Sequence, residues 1–148
     1  MFRITTLCLL LVLGTVWLAG CGATQAADAA DDARLWQGTW KMVHCTWNGE
    51  PQPGDVQWIV QGDYYVIRLN QQTHTDPYPF KLDTSNKHID VNHHDTPKGT
   101  WGGKLKGIYE ITGETLRVCY DLTGGRYPKS FDAGAGSGQV VYEFRRER

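Results

Sequence analysis

The chain has 148 residues, with 15 basic and 16 acidic side chains and a formal net charge of −1. This length suits one domain with a single core. The near-neutral balance lacks the basic stripe of a nucleic-acid-binding domain, so we expect no nucleic-acid partner. The most basic segment, residues 145–148, is more typical of a solvated strand end.

The N-terminus has the layout of a secretory signal. Arg3 precedes an apolar run of about 16 residues from Ile4 to Ala19, which is shorter than the roughly 20 residues that a membrane-spanning helix needs. The run closes with Leu18-Ala19-Gly20-Cys21, which is similar to the bacterial lipoprotein signature. We therefore predict that residues 1–20 are a lipoprotein signal peptide and that Cys21 is lipidated.

Two alternatives to lipidation stay open, an uncleaved signal anchor and an ordinary signal followed by an unrelated cysteine. Lipidation would export the protein to the cell envelope and anchor it to a membrane, facing the periplasm or in the outer membrane. Residues 21–34 are rich in Ala and Asp without apolar periodicity, which predicts a flexible tether of roughly 20 Å reach. The folded domain is then expected over residues 35–148.

From Trp36 onward the apolar residues alternate with period two, between turn signals about ten residues apart. This pattern predicts an antiparallel all-β domain. We expect eight strands, whose inward faces carry the following residues: Trp40 and Met42; Val56, Trp58 and Val60; Tyr65, Ile67 and Leu69; Tyr78, Phe80 and Leu82; Ile89 and Val91; Tyr109 and Ile111; Leu116, Val118 and Tyr120; Val140, Tyr142, Phe144 and Arg146.

Eight such strands can hide their edges in an up-and-down barrel or split into a sandwich. We favour the barrel, whose interior at this strand number is filled by side chains or holds one small ligand. A hypothetical ligand would contact the inward aromatic set, namely Trp40, Trp58, Tyr65, Phe80, Tyr109, Tyr120 and Tyr142.

The segment Trp36-Gln37-Gly38-Thr39-Trp40 resembles the Gly-x-Trp signature of lipocalins. In those barrels the tryptophan closes one end and an arginine of the last strand lies over it. The resemblance implies structural roles for Gly38, Trp40 and Arg146, with a cation over an indole face.

Over residues 35–146 the chain also resembles an uncharacterised lipocalin-like domain family that is abundant in planctomycetes. The resemblance implies an exported barrel and assigns no activity. The matching stretches are WQGTWKMV (residues 36–43), NGEP (48–51), GDYY (62–65), FKLD (80–83), ID (89–90), GIYEI (107–111) with Gly113, Thr115, Leu116 and Cys119, and GSGQV (136–140).

Cys45 and Cys119 are the two cysteines left after signal cleavage and lipidation. Oxidising conditions outside the cytoplasm permit a disulfide between them. In a simple meander, however, the last strand separates their strands, which places the Cα atoms beyond the roughly 7 Å limit. A disulfide and two free thiols both stay open.

Metal-ligand residue types cluster at His88, Asp90 and Asn92, which share one face of a strand. Zinc could use such a set, but an exposed polar face looks the same, and His93 and His94 point opposite ways. His44 and His74 are ordinary strand and loop residues in this interpretation. We expect no metal and no cofactor.

Gly134, Gly136 and Gly138 precede a strand, whereas phosphate-cradling loops precede a helix. We expect a mobile loop here, able to gate one barrel mouth. No acid–base pair or nucleophile arrangement stands out in the sequence, which favours a protein that is not an enzyme.

Two functional hypotheses follow. In the first, a membrane-anchored lipoprotein binds a small, partly apolar ligand inside its barrel. In the second, the barrel is filled, and the loops around Trp101 and residues 134–138 contact an envelope protein or glycan.

Overall fold

A computed structural model describes residues 31–73, 76–93, 103–123 and 125–148. A short helix covers residues 31–36, and no helix in these ranges is long and apolar enough to cross a membrane. Ten strands follow: β1 (Gly38–Trp47), β2 (Glu50–Pro51), β3 (Val56–Gln61), β4 (Tyr64–Leu69), β5 (Gln72–Thr73), β6 (Tyr78–Asp83), β7 (His88–His93), β8 (Gly103–Thr112), β9 (Thr115–Asp121) and β10 (Gln139–Arg146).

The eight longer strands form one closed antiparallel barrel. Each pairs with its neighbours in the order β1, β3, β4, β6, β7, β8, β9, β10, and β10 pairs back onto β1. The predicted all-β, eight-stranded barrel is therefore confirmed, while β2 and β5 are two-residue additions at strand ends. Every long strand therefore has a partner on both sides, so the barrel has no free strand edge.

The two ends of the barrel differ in their connections. At one end lie the helix and the tight turns at residues 62–63, 84–87 and 113–114. At the other end the strands are joined through the longer segments 48–55, 70–77, 94–102 and 122–138. We call these the helix end and the loop end.

The helix belongs to the folded domain. Asp32 is 9% exposed, and its carboxylate accepts hydrogen bonds from Lys87 Nζ and the Tyr109 hydroxyl, each at 2.6 Å. Asp32 therefore packs against the barrel although it lies in the segment predicted as tether. A six-residue helix carries too little periodicity to be read from sequence.

A β-bulge interrupts β1 at Val43. Met42 lies opposite Phe144 and His44 opposite Glu143, so Val43 has no counterpart on β10. One extra residue reverses the alternation of faces beyond it. As a result Val43 is half exposed, while Cys45 packs into the barrel interior.

The segment between β9 and β10, residues 122–138, runs over the outside of the barrel wall, and we call it the outer strap. Phe131 and Ala133 pack on Cys119, Val141 and Ile108 of the wall. Its glycine-rich part is tied to the β1–β2 turn, because Gly49 N donates to Ala133 O and Gly136 N donates to Asn48 Oδ1, both at 2.6 Å. These two hydrogen bonds hold residues 133–136 beside the β1–β2 turn at the loop end, and the expectation that residues 134–138 form a mobile, mouth-gating loop stays a prediction.

Candidate functional site

The barrel interior holds a continuous cluster of aromatic rings. Trp58, 3% exposed, is its centre: its ring centroid lies 4.5 Å from that of Tyr65, with the two rings stacked. Three further rings surround Trp58, with centroids 4.4, 5.8 and 6.4 Å away: Phe144, Tyr142 and Tyr120. Inward alternation on β3, β4, β9 and β10 brings these side chains together.

All seven aromatic residues predicted for the interior face it in the structure. Trp40, Trp58, Tyr65, Tyr109 and Tyr120 are buried, and Phe80 and Tyr142 are partly buried against the same cluster. The interior also includes Trp36, which sequence reasoning did not place there. Trp36 comes from the helix, packs on Phe80 and Tyr109 with centroids 5.4 and 5.3 Å away, and is fully buried.

Arg146 closes the helix end. Its guanidinium carbon lies 4.1 Å from the centroid of the Trp40 ring, and it donates hydrogen bonds of 2.5 Å to the carbonyls of Leu35 and Gln37. A Cβ on Gly38 would stand 3.0 Å from Arg146 Nη1, and Gly38 has a φ of +113°. Glycine is thus required at this position both by its backbone conformation and by the guanidinium beside it.

Inward-facing residues toward the loop end remain partly exposed. They belong to β1, β3, β4, β6 and β10, and they are Met42, Val56, Ile67, Tyr78 and Tyr142. Toward the helix end Trp36 and Trp40 are fully buried in the centre, and Phe80, Leu82 and Ile111 around them are partly exposed. We call the part of the interior that lies between the fully buried Trp36 and Trp40 and the loop end the cup.

Tyrosine hydroxyls lie inside this cup. The Tyr120 hydroxyl is buried beside that of Tyr65, close enough for a hydrogen bond between the two side chains to affect both pKa values. Burial is the main cause that raises the pKa of Tyr65, Tyr120 and Tyr142 far above the usual value. These side chains are therefore neutral hydrogen-bond donors at physiological pH.

The two cysteines of the domain do not form a disulfide. Both are free thiols: Cys45 faces the interior, and Cys119 lies on the outer wall beneath the strap. Their strands, β1 and β9, flank β10 on its two sides, and Cys45 lies opposite Tyr142 while Cys119 lies opposite Val141. Of the two alternatives that the sequence left open, the structure has the two free thiols, because a full strand and the thickness of the wall lie between the two side chains.

The predicted polar face at His88 and Asp90 is covered by the outer strap. The Tyr127 ring stacks on His88 with centroids 3.8 Å apart, and its hydroxyl donates to Asp90 Oδ1 at 2.8 Å. Within the described ranges no group of three or more His, Cys, Asp or Glu side chains could hold a metal ion.

Between the strap and β8 lies an open cleft of about 660 Å³ on the outside of the wall. Its lining mixes opposite charges with apolar side chains, including Lys87, Lys129, Glu110 and Phe131. Several residues named in the sequence interpretation lie outside the described part: residues 1–20, Cys21, His74, His94 and Trp101.

Fold and interior together define the class of this protein as a closed eight-stranded antiparallel barrel with an aromatic interior. Comparison with protein-family models, curated proteins and solved structures gave no match.

Proposed function

We propose that the protein is a lipid-anchored, cell-envelope lipoprotein whose lipocalin-like barrel binds a small, partly apolar ligand and acts without catalysis. Support for the anchor comes from the sequence Leu18-Ala19-Gly20-Cys21 behind a short apolar run. Support for the lipocalin-like class comes from the Gly-x-Trp segment, with Arg146 lying over Trp40.

The observation that carries the ligand proposal is the cup. Its floor is sealed by Trp36 and Trp40, and its accessible wall is formed by Met42, Val56, Ile67, Tyr78 and Tyr142. Concave sites with an apolar and aromatic lining and a few polar groups are the usual sites for small ligands. A ligand that covers the partly exposed apolar side chains of this wall would gain about 25 cal/mol of binding free energy per Å² of apolar surface buried.

The position of the helix gives the anchored domain an orientation. The chain enters the barrel at the helix end, where Asp32 and Arg146 hold residues 31–37 in place. A lipid on Cys21 would therefore be joined to the closed end of the barrel, and the tether would leave the loop end free to exchange ligand with the aqueous compartment.

Native mass spectrometry of the protein from its own host tests ligand binding. We expect a reproducible additional mass that is lost on denaturation. The variant Ile67→Trp, which adds bulk to the accessible wall, should reduce its occupancy, whereas Val43→Trp on the half-exposed outer position should retain it. Reproducibly empty barrels would overturn the proposal and favour the interaction module with a filled barrel.

Mass analysis of the mature N-terminus tests the anchor separately. The expected product begins at Cys21 and carries diacylglycerol, with or without an N-acyl chain. Cys21→Ala should then leave the signal segment uncleaved. A mature protein that begins elsewhere, or an unmodified Cys21, would overturn the anchor and leave the ligand proposal intact.

A further inference from the structure

A second cavity lies on the outside of the barrel wall, where the outer strap passes the loop end of β9 and β10. Its volume is about 290 Å³, close to the lower limit of ordinary small-ligand sites. Every residue of its lining has a polar side chain, and the groups that can form hydrogen bonds include Asp121, Thr123, Ser130, Ser137 and Gln139. The cavity therefore suits a small, polar ligand.

Contacts within the fold fix both sides of this cavity. Asp121 and Gln139 lie opposite each other on β9 and β10. On the side of the strap, Tyr127 is held by its stacking on His88 and by its hydrogen bond to Asp90. A ligand therefore meets a preformed site, which lowers the entropic cost of binding.

A buried carboxylate lines the cavity. Asp121 is only 6% exposed, and its Oδ1 accepts hydrogen bonds from the Thr123 amide and hydroxyl at 2.8 and 2.5 Å. No described residue donates a hydrogen bond to its Oδ2. An ionised carboxylate can accept about four hydrogen bonds, and burial is costly when they are not made. Asp121 therefore has the capacity to accept a hydrogen bond from a ligand hydroxyl.

Two unpaired cations belong to the same lining. Arg126 and Lys129 are both exposed, and neither forms an ion pair with any residue that the structure describes. A third cation, Lys106, lies opposite Asp121 on β8, with its Nζ 5.0 Å from the centroid of the Tyr127 ring. The lining itself carries two positive charges and one negative charge, so the cavity favours a ligand with a net negative charge.

The lining discriminates among anions. A compact anion such as phosphate would be repelled by the buried Asp121 carboxylate, and an amphiphile would find no aliphatic side chain to cover. A zwitterion has no net charge and would leave the surplus cation unpaired. A polyhydroxylated acid meets all the requirements, because its hydroxyls can donate to Asp121 while its carboxylate pairs with Arg126 and Lys129.

We propose that this cavity binds an acidic sugar unit of the hexuronate class. Arg126 and Lys129 pair with the sugar carboxylate, and Asp121 accepts a hydrogen bond from a ring hydroxyl. The planar guanidinium of Arg126 matches a carboxylate particularly well. This site lies outside the barrel, so it is additional to the interior ligand site and does not depend on it.

A matched pair of glycosides tests recognition of the acidic group. Methyl β-glucuronide and methyl β-glucoside share one ring and differ only at C6, which is a carboxylate in the first and a hydroxymethyl group in the second. Their affinities for the full-length protein in detergent are measured by saturation-transfer NMR. We expect the glucuronide to bind about 10-fold more tightly, and this preference should shrink as the salt concentration rises.

Removal of the two cations tests where the carboxylate binds. The double variant Arg126→Ala/Lys129→Ala should lower the affinity for the glucuronide to that for the glucoside. The control Lys41→Ala/Arg145→Ala removes two exposed cations that lie opposite each other on β1 and β10 near the helix end, and it should retain the preference. Because all four side chains are exposed, we expect both variants to fold, which near-UV circular dichroism checks.

Replacement of the buried carboxylate tests the hydroxyl contact. Asp121→Asn should weaken glucuronide binding about 3- to 10-fold, because a neutral amide is a weaker acceptor than a carboxylate. If Asp121 only repelled anions, this variant would bind the glucuronide more tightly than wild type, which would overturn its role as acceptor.

Several outcomes would overturn the acidic-sugar site. They are equal affinity of wild type for the two glycosides, an equal loss of affinity in the two double variants, and displacement of the glucuronide by inorganic phosphate at the same concentration, which would indicate an unspecific anion site. Free glucuronate distinguishes the source of the sugar: tighter binding than the methyl glycoside supports a free sugar acid, and equal or weaker binding supports a unit of a glycan. None of these results bears on the ligand proposed for the barrel interior.

Discussion

Arg146 lies over the indole of Trp40, and its guanidinium also donates hydrogen bonds to the backbone carbonyls of Leu35 and Gln37, just before β1. Residues more than one hundred positions apart in the chain are joined in this way. The contact closes the helix end and holds the start of the barrel to its last strand.

Replacement of this arginine should destabilise the domain strongly. Arg146→Ala removes two charge-assisted hydrogen bonds and a cation–π contact, so we expect the free energy of unfolding to fall by about 3 kcal/mol. Arg146→Lys should recover only part of this loss, because an ammonium group lacks the planar fork. Denaturant unfolding measures both variants.

Arg145→Ala is the matched control for that experiment. Arg145 neighbours Arg146 on β10 but is exposed, and its replacement should change the free energy of unfolding by less than about 0.5 kcal/mol. Equal effects at the two positions would contradict the role assigned to Arg146.

Asp32 should contribute far more to stability than its neighbour Asp31. Asp32→Ala leaves the buried Tyr109 hydroxyl and the Lys87 ammonium without their shared carboxylate, which should lower the free energy of unfolding by about 2 kcal/mol. Asp31 forms an exposed ion pair with Arg34, and Asp31→Ala should have little effect. Faster proteolytic cleavage near residues 31–37 in Asp32→Ala alone would confirm that the helix is released.

Alkaline pH should destabilise the domain. Burial raises the pKa of the Cys45 and Cys119 thiols from 9.0 to about 11. Below about pH 8 both thiols are protonated in the folded and unfolded states, so they do not affect stability there. Between about pH 8 and 11 the unfolded chain ionises first, so the free energy of unfolding falls as pH rises, by about 1 kcal/mol per thiol at pH 10.

Urea unfolding at a series of pH values measures this dependence. Replacing both cysteines with alanine should flatten the curve between pH 8 and 10. A smaller decline should remain, because burial also raises the pKa of the interior tyrosines. An unchanged slope in the double variant would contradict the assignment to the thiols.

Alkylation should find two free thiols in residues 31–148. When the protein is denatured without reductant and treated with iodoacetamide, the mass should rise by two adducts, at Cys45 and Cys119. An unaltered mass would show a disulfide and contradict the separation of the two side chains across the wall. Cys119→Ala should take up one adduct under the same conditions.

The barrel could be predicted from the sequence because the alternation of apolar and polar residues along each strand is a local pattern. Strict alternation on β3, β4, β6, β9 and β10 identifies the inward faces, and Trp58, Tyr65 and Tyr120 all lie where alternation places them. β8 begins at Gly103, well before Tyr109 and Ile111, the two inward residues that predicted it. Gly107 weakens the strand signal in between, and its close approach to the Tyr120 ring is visible only in three dimensions.

Features that depend on distant residues were not predictable. The bulge at Val43 turns Cys45 inward, although uninterrupted alternation from Trp40 and Met42 would place it outside. The burial of Asp32 depends on Lys87 and Tyr109, and the order of the strap depends on Asn48 and Gly49. Each of these contacts joins segments that are far apart in the sequence.

The attachment of residues 31–37 at the helix end has a mechanical consequence. Tension on the chain from the N-terminal side reaches the hydrogen bonds of Asp32 and Arg146 before it reaches any strand of the wall. Rupture of those bonds would release about seven residues, or roughly 24 Å of extended chain. A barrel held at a membrane by its N-terminus would thus lengthen by this segment under load, and because Trp36 leaves with it, the closed end would open while the strands of the wall stay paired.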